Sequence, residues 1–134
     1  MRRRKPSQTL PEMERRARRV LQKDNKFLLG YDIKGSRGLD EEGMMIRFAA
    51  QESFHREVNK RLSSCVVSGD IGGQYLSRII EGMDSALSDS GVVFLNNPDA
   101  IAQILDIAKE IMPTFKIRWA VGKEKDEDVM ELVK

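Results

Sequence analysis

At 134 residues, with 33% charged side chains and a net charge of +2, the chain suffices for one domain with a modest core and hardly for two. The charge is segregated, since residues 1–26 hold ten Lys/Arg against Glu12, Glu14 and Asp24, a balance of +7, while the rest of the chain balances at −5. One cysteine, Cys65, excludes an internal disulfide, and no apolar run approaches the roughly 18 residues that cross a bilayer.

Residues 1–8 form an arm without periodicity, with Arg2, Arg3, Arg4 and Lys5 ahead of Pro6, and are expected to be flexible. The apolar segment that follows the charged start of a secretory signal is missing, and Glu12 and Glu14 argue against an organellar transit peptide. The expected location is therefore inside a cell, or in a virion. Thr9 and Glu12 have capping-box spacing, with Pro11 in the first turn where no N–H is needed. Met13, Ala17, Val20 and Leu21 then make one apolar stripe, and Arg15, Arg16, Arg18, Arg19 and Lys23 fill the remaining positions. This is a basic amphipathic helix, one side for docking and the other for something anionic.

Lys26–Ile33 has an apolar centre that suits a short strand or a docking segment, and it is read as irregular ahead of the turn-rich Gly35–Gly38. Asp40, followed by Glu41 and Glu42, opens a second helix whose Met45, Phe48, Phe54, His55, Val58, Leu62, Cys65 and Val66 share a face, to Ser68 or Gly69. After Gly72-Gly73, Tyr75, Leu76, Ile79, Ile80, Met83 and Leu87 give a third helical stripe. Val92–Leu95 reads as a short buried strand, and Asn96–Asp99 caps a helix over 98–112 with Ile101, Ile104, Leu105, Ala108, Ile111 and Met112 inward. Phe115, Ile117, Trp119 and Val121 alternate with polar or small residues, a strand buried on one face, which with Val92–Leu95 suggests a small βαβ unit. The expected fold is a mainly α, small helical domain over 9–122 with at most two or three short β segments, α+β being the alternative. Residues 123–134 are expected to be a charged tail with a terminal turn of helix at Val129–Leu132.

The chemistry of the basic residues points to phosphate. Arginine's planar fork pairs with phosphate oxygens, and each contact releases condensed counterions, so the cluster supplies affinity without reading bases. The candidate contacts are Arg2, Arg3, Arg4, Lys5, Arg15, Arg16, Arg18, Arg19 and Lys23. Gly30–Arg37 has the glycine frame of a phosphate loop, but Ser36-Arg37 stands where lysine and a hydroxyl residue belong, which excludes an NTPase loop and leaves Lys34, Ser36 and Arg37 as auxiliary phosphate contacts. Gly69 and Gly72-Gly73 read as a turn.

For catalysis the chain offers little. His55 is the single histidine, on an apolar helix face without a nucleophile placed by motif, and neither C-x-x-C nor H-E-x-x-H occurs. No enzyme, metal, cofactor or small-molecule substrate is expected. Met44–Phe48, a helix over Phe54–Leu62 and a further helix over Tyr75–Leu87 loosely resemble the ribbon-helix-helix order of dimeric repressors, which implies Arg47 on a strand reaching bases. The long 63–73 connection and the acidic Asp40-Glu41-Glu42 depart from that pattern. The function expected is structural: coating or packaging of DNA or, second, RNA, with self-assembly into a homo-oligomer or assembly with a related subunit, as in a virion coat or nucleocapsid. A dimeric regulator and an adaptor for an acidic protein surface are the alternatives.

Overall fold

The computed structural model describes residues 7–35, 38–71 and 89–133, and at its centre lies a strand that the sequence disguises. The elements run α1 (Leu10–Leu21), β1 (Phe27–Ile33), α2 (Glu41–Arg61), β2 (Val66–Ile71), β3 (Ser90–Leu95), α3 (Ala100–Ile111), β4 (Ile117–Gly122) and α4 (Glu127–Val133). β1 is buried at all seven positions and pairs antiparallel on both sides, with β3 through Leu29↔Val93 and with β4 through Tyr31↔Trp119. β2 pairs antiparallel with β3, which gives one sheet in the order β2-β3-β1-β4.

The expectation of a mainly α domain is therefore overturned, and the fold is α+β. The reason is local: a strand covered on both faces loses the polar alternation that marks a half-exposed one, so Phe27–Ile33 reads as an undirected apolar run. α2 also ends sooner than its stripe suggests. Leu62 leaves helical geometry at φ −122°, Cys65 turns back to donate to the Leu62 carbonyl, and the β-branched pair Val66-Val67 starts β2, so Gly69 lies in a strand rather than a turn. Met44–Phe48, the strand that a ribbon-helix-helix order requires, is part of α2, and Arg47 is buried. The helix expected over Tyr75–Leu87 lies outside the described residues.

The βαβ unit β3-α3-β4 does form, but β1 is inserted between its two strands. The unit β1-α2-β2 is split by β3 in the same way. Two interlocked βαβ units of this kind make the split βαβ, or ferredoxin-like, arrangement. One face of the sheet carries Phe27, Leu29, Tyr31, Val93, Leu95, Trp119 and Val121 against Met13 and Ala17 of α1, Phe54 and Val58 of α2, and Ile101, Ile104 and Ala108 of α3. The other face carries Leu28, Val92, Phe94 and Ala120 under Val129 of α4. The terminal helical turn expected in the charged tail is thus α4, seated on the sheet. Asp32 and Arg118 share that second face by the period-2 alternation and meet directly across β1 and β4, the Arg118 guanidinium donating to the Asp32 carboxylate with both residues 6% exposed.

Candidate nucleic-acid interface

α1 is built as its spacing suggests. The Thr9 hydroxyl accepts from the Glu12 N–H and donates to the Glu12 carboxylate at 2.9 Å, and Pro11 stands in the first turn. Met13 and Ala17 are buried against the sheet, with Val20 and Leu21 packed beside them. The segment before the helix is fixed to the edge of β4: Gln8 N–H donates to the Trp119 carbonyl at 3.0 Å, while Trp119 N–H donates to Ser7 Oγ and Val121 N–H to Gln8 Oε1, each at 3.0 Å. Those bonds occupy donors and an acceptor that an edge strand otherwise leaves open.

The basic residues of α1 divide into two kinds. Arg15, Arg18 and Arg19 are exposed, as is Lys23 in the turn just past the helix; Arg18 has only a 4.0 Å contact with Glu14. Arg16 turns inward, donating to Asp128 at 2.9 Å and to Asp126 at 3.1 Å. Partial burial disfavours its charge, but Asp126 and then Asp128 outweigh that and raise its pKa, so Arg16 ties α1 to the segment entering α4 rather than facing outward. Gln8, Glu12, Arg15, Arg16 and Arg19 line an open cleft of about 180 Å³. Arg2, Arg3, Arg4 and Lys5 lie outside the described residues, as do Ser36 and Arg37. Lys34 is exposed on the turn after β1, where its N–H donates to the Lys116 carbonyl and Gly35 adopts φ +83°.

Sequence reasoning missed a second constellation, on the inward side of α2. Arg47, Gln51 and His55 follow one another at intervals of four, which places them on one helix face above Tyr31. Tyr31 Oη and His55 Nε2 are 2.8 Å apart, and the Gln51 amide donates to Tyr31 Oη at 3.2 Å and to the Ser90 carbonyl at 3.3 Å. Burial raises the Tyr31 pKa, against the opposing hydrogen bond from Gln51 and the charge of Arg47, so the phenol stays neutral at any physiological pH. Two polar atoms in this cluster are buried without a hydrogen-bond partner, Arg47 Nε and Gln51 Oε1. The signal that reveals it is the i, i+4, i+8 polar row, which is easily taken for a solvated stripe.

Burial lowers the His55 pKa from 6.5 to about 4. Between these values the unfolded chain binds a proton that the folded protein refuses, so stability is full above about pH 6.5 and lost as pH falls toward 4. The expected loss is roughly 2–3 kcal/mol, read as the difference in urea unfolding between pH 7 and pH 4, and His55→Gln is expected to remove most of that difference. An unchanged pH dependence in the variant contradicts the assignment.

Among the described residues no group of His, Cys, Asp or Glu is placed to hold a metal ion, and no helix is long and apolar enough to cross a membrane. No protein-family model, curated protein or solved structure matches the chain.

Proposed function

We propose that the protein binds nucleic acid without reading its sequence and serves as a structural component that coats or packages DNA or RNA, inside a cell or a virion, with a coat or nucleocapsid subunit as the sharpest form. The observation that carries this reading is the division of labour on α1. Met13, Ala17 and Arg16 hold the helix to the body, while Arg15, Arg18 and Arg19 stay exposed on it and Lys23 in the turn that follows. Exposed guanidinium and ammonium groups on a fixed helix meet phosphates with little further ordering cost, and the four basic residues of the arm precede them in the chain. Fluorescence anisotropy with two unrelated duplexes tests this. Dissociation constants within about threefold of each other are expected, and a preference of 10³ or more for one sequence contradicts the reading.

Coating also requires self-association, and α2 offers a surface for it. Met44, Met45, Ile46 and Phe48 are 39%, 68%, 60% and 37% exposed, a run of large apolar side chains on one and a half turns of helix. A second copy is the partner this reading assigns to that surface, with the flanking Glu41 and Glu42 left at the polar rim. Sedimentation velocity on the Met45→Glu/Ile46→Glu double variant is expected to show a smaller species than the unsubstituted protein. Identical distributions contradict the assignment.

A further inference from the structure

The open cleft on α1 is lined by three arginines, Arg15, Arg16 and Arg19, and by one carboxylate, Glu12. Two more carboxylates meet Arg16 from more than a hundred residues away, Asp128 at one terminal nitrogen of the guanidinium, 2.9 Å, and Asp126 at the other, 3.1 Å. Three cations thus stand with three carboxylates, a local balance of zero, and without Asp126 and Asp128 the balance is +2. A neutral patch in the middle of a basic helix weakens its pull on a polyanion. The two carboxylates also hold Arg16 as a phosphate does, since the planar fork takes two oxygens at once from either group. They belong to Glu124–Asp128, where four acids stand with a single lysine. The Arg16 side chain is 32% exposed and lines the cleft, so the guanidinium is open to an incoming anion, and an ion pair as wet as this is held weakly.

We propose that Asp126 and Asp128 occupy on Arg16 the place of a nucleic-acid phosphate, so that the segment entering α4 restrains binding at α1 and is exchanged for phosphate when the polymer binds. This restraint presupposes phosphate binding at α1 and regulates it. Arg16 is then a further phosphate contact, held in reserve by the chain's own carboxylates. The coupling is reciprocal. Whatever seats α4 on the sheet weakens polymer binding, and bound polymer loosens the start of α4, where the Asp128 N–H donates to the Asp126 carboxylate at 2.9 Å and the Met130 N–H to the Asp126 carbonyl at 2.8 Å.

Duplex affinity against salt, read by fluorescence anisotropy on the full chain and three variants, tests the exchange. Asp126→Asn/Asp128→Asn keeps the shape of both side chains and the oxygen that caps α4, and it frees Arg16. That variant is expected to bind at least about threefold more tightly than the unsubstituted protein, with the slope of log affinity against log salt steeper by about 0.9, one added contact. Adding Arg16→Ala is expected to abolish both gains. Glu124→Gln/Glu127→Gln removes two charges from the same segment without touching Arg16, and is expected to leave the slope as it was. Equal gains in the two double variants, or gains that survive Arg16→Ala, overturn the proposal, because repulsion at a distance then accounts for them. Hydrogen exchange of the unsubstituted protein needs no variant: the Met130 amide is expected to exchange at least about twofold faster with saturating duplex. Exchange that is equal or slower overturns the exchange of carboxylate for phosphate. Salt-dependent duplex binding together with either contrary result defeats this restraint alone, whereas no duplex binding by any of the four proteins defeats the α1 interface as well.

Discussion

Asp32→Ala is expected to destabilise the protein by about 3–5 kcal/mol, one of the largest effects of any single substitution. Asp32 and Arg118 are both 6% exposed and face each other across β1 and β4. Removing the carboxylate leaves a guanidinium buried in the sheet with no counter-charge, and Arg118 Nε already lacks a hydrogen-bond partner. The cost therefore comes from the charge left behind and not from the attraction lost. For that reason Asp32→Leu/Arg118→Met, which removes both charges at similar volume, is expected to recover most of the stability. Urea unfolding of the two variants checks this, and a double variant as unstable as Asp32→Ala contradicts it.

Gly91→Ala is expected to cost roughly 3 kcal/mol or more. Gly91 faces Tyr31 across the β1–β3 ladder, and a Cβ there stands 2.5 Å from Tyr31 Oη and 2.6 Å from Cζ. The ring has nowhere to retreat. It is wholly buried, 5.6 Å from both Phe54 and Trp119 by ring centres, and its hydroxyl is bonded by Gln51 and His55. Gly38→Ala is the control, since a Cβ there meets nothing within 4 Å and a change of no more than about 0.5 kcal/mol is expected. If the two alanine variants unfold at the same urea concentration, the packing around Tyr31 is looser than these distances require.

What was legible in the sequence is what is local. The Thr9/Glu12 cap, the stripe of α1 and the helix after Asn97-Pro98 depend on neighbours within a turn, and all three stand in the structure. Phe27–Ile33 escaped because a central strand buried on both faces has no alternation to read. Leu62, Cys65 and Val66 misled in the opposite direction, since their spacing continues a helical row although the chain turns at Leu62 and starts β2. Phe48, expected on the inner face of α2, is 37% exposed, while Arg47 beside it points in. The pair Asp32–Arg118 spans 86 residues, and no local pattern announces it. Within the candidate interface, Arg15, Arg18 and Arg19 are exposed as their places on the polar side of α1 suggest, and so is Lys23, although the helix ends two residues before it. Arg16 differs because Asp126 and Asp128, far away in the chain, are folded against it.

The most direct test of phosphate binding by α1 is the salt dependence of duplex affinity, measured for the unsubstituted protein and for Arg15→Ala/Arg18→Ala/Arg19→Ala/Lys23→Ala. Each phosphate contact contributes about 0.9 to the slope of log affinity against log salt, so four lost contacts flatten that slope by roughly 3.6. The fold is expected to be intact in the variant, because none of the four side chains is buried. A slope reduced by about that amount supports α1 as the interface, and a slope equal to that of the unsubstituted protein contradicts it.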